Sequence, residues 1–410
     1  MSVVDVQPTA PGAQQRMREA ADPFSFFEQL RDNDNKPVWD ESVNAWLIYD
    51  WDNVAACQRD ESRFANAYVN ASDVLKAIKG GGANITLSQG AEHDRLRRFH
   101  LKLLSSLNVE RYRAAHVVPI VTAAFERIGD AKRIDAAADL SDWIPPRVIC
   151  SMLGMPSDDE AAMKKLLDRN HEIVSLIESG YRNEEQRDRA LAASAELNEV
   201  LLPYVRLRRD HPADDFLSRV WKEAPDFDID LDEEGALGLC RELYFAGSDT
   251  TVYGIANILH TLFAQPEVLA RVNAERGKAV NALVEEGMRL LDVVIFRHRI
   301  CVADCEVEGV PIKAGDVVFL INAAANRDPA KFGCPAHVDL DRRAPTDHLA
   351  FGRGSRSCVG AQLARVEMRE VVNQLLDRYP DVRLDPDAPP PTFEGFFMRT
   401  MRPVNLILQD

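Results

Sequence analysis

The stretch Phe351-Gly-Arg-Gly-Ser-Arg-Ser-Cys358-Val-Gly360, followed by the apolar-periodic run Ala361-Gln-Leu-Ala-Arg-Val-Glu-Met, restricts this chain more than any other part of its 410 residues. Glycines at 352, 354 and 360 allow a backbone to turn tightly and to approach a flat ligand more closely than side chains would permit. The helix predicted after them aims its unpaired N–H groups and positive dipole end back at Cys358. That placement favours the thiolate, the form of cysteine that binds a metal such as haem iron. The other six of the seven cysteines read as ordinary buried thiols. Around Cys358 the glycines and arginine have no core role.

The remainder of the chain can enclose such a loop. Hydrophobic residues make up 46% and charged residues 28%, a globular balance that departs only over residues 1–20, which read as a flexible tail. No basic start precedes an apolar core, and no run reaches 18 apolar residues, so a cytoplasmic protein without signal peptide or membrane anchor is expected. Seven irregularly spaced cysteines argue against a disulfide framework. Cys301 and Cys305 lie four apart, but no histidine or second cysteine pair joins them to make a zinc site. Net charge is −16, which disfavours nucleic acid as a partner. Basic residues nonetheless crowd two places, Arg342, Arg343, Arg353, Arg356, Arg365 and Arg369 near the cysteine and Arg95, Arg97, Arg98 and Lys102 earlier. Such an island suits an acidic protein partner.

Helical periodicity dominates the chain. Asp22-Pro23 opens a helix carrying Phe24, Phe27 and Leu30. Residues 37–50 read as a strand pair, and 64–89 as irregular around the mobile Gly80-Gly81-Gly82, which lacks the Lys-Ser/Thr of a phosphate loop. Helices are predicted over 92–104, 109–128 and 183–209, with Ser157/Glu160 and Asp230/Glu233 as capping boxes. One long helix is predicted over 231–264, ended by Gln265-Pro266. Its interior glycines at 235, 238, 247 and 254 each cost ~1 kcal/mol relative to alanine, so some close approach or kink is needed there. Further helices reach 291, short strands follow at 300–307 and 317–321, and two β-like pieces at 393–398 and 404–408 close the chain. The expectation is a mainly α protein with a small β portion, a single domain over 21–410.

The string FGRGSRSCVG resembles the haem-binding signature of the cytochrome P-450 haem-thiolate monooxygenases. The resemblance implies heme b held between the long central helix and the helix after the cysteine loop. Cys358 is then the metal ligand, and Phe351, Gly352, Arg356 and Gly360 belong to the cofactor-binding loop. Ala246-Gly247-Ser248-Asp249-Thr250-Thr251 resembles the family's acid–alcohol pair. Ala246 and Gly247 there leave room for dioxygen, while the Thr250 hydroxyl, in a local break of the helix and backed by Asp249, relays protons. Glu286-Gly-Met-Arg289 matches the family's Glu-x-x-Arg and, with Arg342, resembles its buried Glu-Arg-Arg network. His93 and Arg97 match a His-x-x-x-Arg helix whose side chains meet the haem propionates, and Arg299 and Arg356 match two further arginines. This chain departs from the pattern at Gln89-Gly-Ala91, where Asp-Pro-Pro is usual, and at Val293-Val294, where a proline is usual; Arg297 rivals Arg299 for its role.

By position, the family's substrate pocket comprises Glu242, Phe245, Val294, Ile295, Phe296 and Phe396, mostly apolar and partly aromatic. Glu242 either faces the substrate, points to solvent or pairs with the neighbours of Arg241. The resemblance implies insertion of one oxygen atom into a C–H bond of a small aromatic or terpenoid substrate, by hydroxylation or O-dealkylation. No flavin or iron–sulfur module is fused, so electrons from NAD(P)H arrive through an external ferredoxin, [2Fe-2S] or similar, and its reductase. A peroxide-using or rearranging haem-thiolate enzyme and a haem sensor without turnover are the alternatives.

Overall fold

The helix Asp249–Ala264 is buried on nearly its whole circumference, through Val252, Ile255, Ala256, Ile258, Leu259 and Leu262. A helix apolar all round belongs inside a protein, with other elements stacked on every side. Here the helices Arg276–Leu290 and Ala361–Arg378 and the strand Arg399–Arg402 pack against it. One of its glycines explains how closely they approach: a Cβ at Gly254 would stand 2.2 Å from Met368 Cε of the helix that follows Cys358. The computed structural model describes residues 22–68, 71–81, 84–178 and 184–409. The expected tail at 1–20, together with Gly82 and Asn183, lies outside the described residues.

The single helix expected over 231–264 is two, Glu233–Gly247 and Asp249–Ala264, meeting at Ser248, which leaves helical geometry at φ −80° and ψ −81°. Two expected caps also move by two residues. Asp232, not Asp230, accepts from the Gly235 N–H at 2.7 Å, and Asp159, not Ser157, accepts from the Ala162 N–H at 3.0 Å. A carboxylate three residues ahead of a free amide does the same work in either register.

The small β portion is chiefly a five-stranded sheet in the order Val38–Asp40, Ala45–Ile48, Val317–Leu320, Arg297–Cys301, Phe64–Asn66. The strand pair expected at 37–50 is present within it. Residues 64–89, expected to be irregular, supply the edge strand Phe64–Asn66 and a helix, Asp73–Ile78; three residues are too few for strand alternation to show in a sequence. Asn66 pairs in register with Arg299, which ties the segment roofing the cavity to its wall. No described helix is long and apolar enough to cross a membrane.

Candidate active site

Cys358 hangs from a loop whose shape is set by two glycines. Gly352 and Gly354 take φ +68° and +77°, and a Cβ on Gly354 would lie 2.9 Å from Gln58 O, so only glycine fits there. Gly360 takes an ordinary φ of −85°, so its expected freedom is not used. The Gln58 side chain cradles the loop, accepting from Arg353 N–H at 2.7 Å and donating to Asn322 at 2.7 Å, and Cys358 N–H donates to Phe351 O at 2.8 Å. Cys358 keeps open surface, which borders cavities at both faces of the loop. Burial pushes its thiol above the ordinary value, and the Gly360 N–H and the charges of Arg297, Arg365 and Arg97 only offset this. The helix end alone therefore does not make the thiolate; a metal cation bound to the sulfur would.

A cavity of about 360 Å³ separates the two helices named by the sequence. Cys358, Val359, Gly360, Leu363 and Ala364 line one side, and Ala246, Gly247, Thr250 and Thr251 the other. Thr250 Oγ1 donates to Ala246 O at 2.6 Å, across the break at Ser248, so the hydroxyl is held at the cavity wall. Asp249 faces the opposite way. It is 1% exposed, and burial raises its carboxyl against the opposing pull of His171 and of the neighbouring Asn170 side chain. His171 Nε2, 3.8 Å from Asp249 Oδ1, is half-exposed and leads to solvent.

Around the same cavity the sequence-predicted His93, Arg97, Arg299 and Arg356 come together, and Arg297, the rival of Arg299, joins them. Arg97 bonds Ser357 O at 2.7 Å and Ser357 Oγ at 2.8 Å, and Arg356 bonds Glu61, Ser88 O and Gln89. Arg297 and Arg299 are less well matched: the Nε of each is buried without a partner among the described residues. Burial pushes the Arg299 guanidinium down to about 10, with the charges of Arg297 and Arg356 adding to it. Guanidinium groups gathered against each other need an anion. A flat ligand with two carboxylates and a metal for Cys358 fits this set.

The wall differs from expectation. Glu242 and Val294 line the cavity, but Phe245, Ile295, Phe296 and Phe396 do not; Leu243, Val293, His298 and Phe397 stand there instead. Ile295 is fully buried in the core, Phe296 stacks on Phe319 at 4.4 Å and meets Phe396 at 5.2 Å, and Phe245 turns its ring to Lys79 at 5.0 Å. Neighbouring residues of an extended segment face opposite sides, and a sequence does not show which side is the cavity. Gly352 likewise lines the smaller cavity behind the loop rather than the main one. Glu242 neither points to solvent nor pairs with the neighbours of Arg241. It accepts from the Ile85 and Thr86 N–H groups at 3.0 and 3.2 Å and lies 3.7 Å from His100 Nε2, so it fastens the roof to the central helix.

Behind the loop, Arg289 Nε and Arg342 Nε each reach Glu286 Oε1 at 2.8 Å, and Arg289 donates onward to Asn326 O, Pro335 O and His337 O. Sequence reasoning missed a second network beside it. Arg365 grips Glu285 with bonds of 2.7 and 2.8 Å, His348 Nε2 stands 3.1 Å from Glu285, and the Arg365 guanidinium covers the Phe351 ring at 4.3 Å. Burial pushes the Glu285 carboxyl up, but His348 and Arg365 outweigh it and hold it down to about 2. The adjacent pair Glu285-Glu286 was the available signal. Glu367 was also missed: it lines the cavity, 1% exposed, both oxygens unpartnered among the described residues, its carboxyl driven well above the usual range by burial.

These contacts also dissolve most of the expected basic island. Arg342, Arg353, Arg356 and Arg365 are committed to Glu286, Asp347, Glu61 and Glu285, and Arg369 donates to Asn281. Arg98, Lys102 and Arg343 remain exposed.

Comparison with known proteins gives the same answer from a different direction. The cytochrome P-450 family model matches residues 15–409. The chain is 32% identical over 364 residues to the mycinamicin IV hydroxylase/epoxidase of Micromonospora griseorubida, covering 87% of each chain. It is 30% identical over 372 residues to the cytochrome P-450 monooxygenase PikC of Streptomyces venezuelae, covering 89% of this chain and 86% of that one. The solved cytochrome P-450 260B1 of Sorangium cellulosum shares its fold, with a TM-score of 0.85 at 23% identity over 95% of this chain and 97% of the other. The family's heme b sits on a cysteine thiolate and receives electrons from NAD(P)H through redox partners. With its motifs gathered on one cavity and a family match over nearly its whole length, this chain belongs to the cytochrome P-450 monooxygenases.

Proposed function

We propose that the chain is a monooxygenase of small hydrophobic molecules in which Cys358 is the haem ligand and Thr250 the proton-delivering hydroxyl. The observation that carries the reading is that both side chains line one cavity whose rim holds surplus guanidinium charge. Heme b, when bound, would supply dioxygen activation: with two electrons and two protons from outside, one oxygen atom enters a C–H bond and the other leaves as water. The chain's own groups do the rest. His93, Arg97, Arg297, Arg299 and Arg356 bind the propionates, while the Phe351 carbonyl accepts from the Cys358 N–H and the Gly360 N–H donates to the sulfur. Asp249, 3.8 Å from the half-exposed His171, takes protons from it and passes them to its chain neighbour Thr250 on the same side of the break. Glu242 keeps the roof amides of Ile85 and Thr86 in place, which limits water at the reacting carbon.

Leu243, Val293, Val294 and Phe397 give the pocket an apolar wall, which suits an aromatic or terpenoid substrate, hydroxylated or O-dealkylated. A ferredoxin is the proposed electron donor. Its docking face is narrower than the arginine count suggested, centred on Arg98 and Lys102 with the exposed Leu101 and Leu107 between and beside them. A reduction rate indifferent to ionic strength would remove that face from consideration. Residues 21–410 are taken to act as one cytoplasmic unit. The presence of both Thr250 and Asp249 disfavours a peroxide-using enzyme or a sensor.

The test is spectroscopic and then chemical. Reduced protein under carbon monoxide should show the strongly red-shifted Soret band of a haem-thiolate, and Cys358→His should lose it; retention in the variant contradicts the ligand assignment. A panel of small aromatics and terpenoids should include compounds that shift the resting Soret band to the blue and yield oxygenated product. A panel that binds nowhere, while mycinamicin IV, after which one relative is named, does, rejects the substrate reading.

A further inference from the structure

Cys301 and Cys305 stand outside the site and take no part in the function proposed above. Cys301 ends the strand Arg297–Cys301 and Cys305 opens the strand Cys305–Val307. The turn between them folds back so that the two sulfurs stand 3.7 Å apart, both as free thiols. That approach is held from outside. Asp304 accepts from the Ala314 N–H and from Lys313 Nζ, each at 2.9 Å, while Cys301 N–H donates to Asp316 O at 2.9 Å and Gly315 N–H to Cys301 O at 2.7 Å. Cys301 is fully buried among Ile312, Val318 and Leu320, whereas Cys305 is partly exposed.

We propose that Cys301 and Cys305 form an oxidisable dithiol, a modification site at which hydrogen peroxide or a low-molecular-weight disulfide closes an intrachain disulfide. In the peroxide route the Cys305 sulfur attacks one peroxide oxygen, the O–O bond breaks, and a sulfenic acid and one water form. The Cys301 sulfur then attacks the Cys305 sulfur and expels its oxygen as a second water. Two thiols have lost two electrons and two protons, and peroxide has become two waters. With oxidised glutathione the same bond forms by two exchanges that release two glutathione thiols.

The order of events follows from the surroundings. Cys305 reaches solvent, while burial and the neighbouring Cys305 push the Cys301 thiol up to about 11. Cys305 therefore reacts first and Cys301 resolves. Closure brings the sulfurs from 3.7 Å to ~2.05 Å, which a side-chain rotation at the less confined Cys305 can supply. The strand that ends at Cys301 carries Arg297, His298 and Arg299 to the cavity, so the bond pulls on an element of the site. Under the function proposed above, peroxide is the product of misdelivered protons, and the pair registers failed turnover. That consequence rests on the proposed function; the disulfide does not.

The experiment treats holoenzyme with oxidised glutathione in one arm and hydrogen peroxide in another, alkylates the remaining thiols and maps them by peptide mass spectrometry. The segment containing residues 301 and 305 should lose two hydrogens, resist alkylation and recover both thiols on reduction. The Cys301→Ser protein should instead carry a glutathione adduct on Cys305. Full alkylation of Cys301 and Cys305 while the exposed Cys334 is consumed overturns the proposal. So does a bond from Cys305 to Cys57, which packs in the same cluster with its thiol pushed up to about 12 by burial. Thiol counts need neither substrate nor turnover, so a wrong substrate or proton relay leaves this result readable.

Discussion

Buried carboxylates on the two sides of the cysteine-loop helix are treated in opposite ways. Behind the loop, Glu285 and Glu286 are surrounded by donors: Arg365 and His348 hold the first, Arg289, Arg342 and the Asp339 N–H the second. Toward the cavity and its central helix, Asp249 and Glu367 are as deeply buried, yet among the described residues Asp249 meets only the Asn170 side chain and His171 at 3.8 Å, and neither oxygen of Glu367 has a hydrogen-bond partner. The first pair is held below the ordinary carboxylate range although burial pushes it up, and the second pair is pushed above by that same burial. Identical chemistry thus serves two ends. A fully paired carboxylate is a fixed charge that braces structure; a buried one with few partners holds its proton more tightly than in water.

The contrast breaks most visibly in the braced region. Arg289 is fully buried and serves Glu286 and three backbone carbonyls, so Arg289→Met leaves a buried charge and several acceptors unmatched. Loss of one partner from such a pair costs ~3–5 kcal/mol, a large part of the ~5–15 kcal/mol that keeps a domain folded. Little soluble holoenzyme should be recovered, and chemical denaturation of what remains should show a lowered midpoint. A midpoint close to wild type would mean that the network is not structural.

At the cavity the expected losses are chemical, with the fold intact. Thr250→Ala removes the hydroxyl held at the break while leaving Cys358 and the walls in place. Binding should survive and reduced cofactor should still be consumed, but more oxygen should leave as hydrogen peroxide, since one positioned proton donor is worth ~10²- to 10⁴-fold in its step. Asp249→Asn should differ, slowing turnover without the same peroxide burst, because Asp249 faces His171 rather than the cavity. Product formed per cofactor consumed, with peroxide assayed alongside, separates the two. Unchanged coupling in Thr250→Ala passes the role to Thr251, which also lines the cavity.

The parts legible in the sequence were those whose geometry is local. The cysteine loop, the Ala246 to Thr251 segment and Glu286 with Arg289 are short runs in which spacing fixes what can meet. Partners from far along the chain were not legible. Nothing near Arg365 shows that it will face Glu285, 80 residues earlier, rather than a docking protein, nor that Gln58 will cradle the loop. The facing of Ile295 and Phe296 depends on which side of an extended segment meets the cavity, and that is decided by packing against Phe319 and Phe396. From the glycines alone the break at Ser248 was legible only as a cost, too many of them in one helix; its place beside Thr250 came from the family resemblance of Ala246 to Thr251.

The finest test of the contrast is the slope of stability with pH in two variants of similar volume change. Glu285 is held at about 2 in the folded protein against ~4.3 when unfolded, so it contributes stability that is present above ~4.3 and lost as pH falls toward about 2. Glu285→Gln should therefore be less stable than wild type at neutral pH, and the gap should narrow on acidification. Glu367 has the opposite sign. Its folded carboxyl lies above the unfolded value, so the unfolded chain gives up its proton first, and wild type loses stability as pH rises from ~4.3 toward the folded value. Glu367→Gln should match wild type near pH 4 and gain on it as pH rises, by at most ~1.4 kcal/mol per pH unit for a single proton. Denaturant midpoints of both holoenzymes across the range from pH ~2 to ~8 cover both windows and give the two difference curves directly. Slopes of the same sign would show that Glu367 has a partner after all and that the two sides of the helix are built alike.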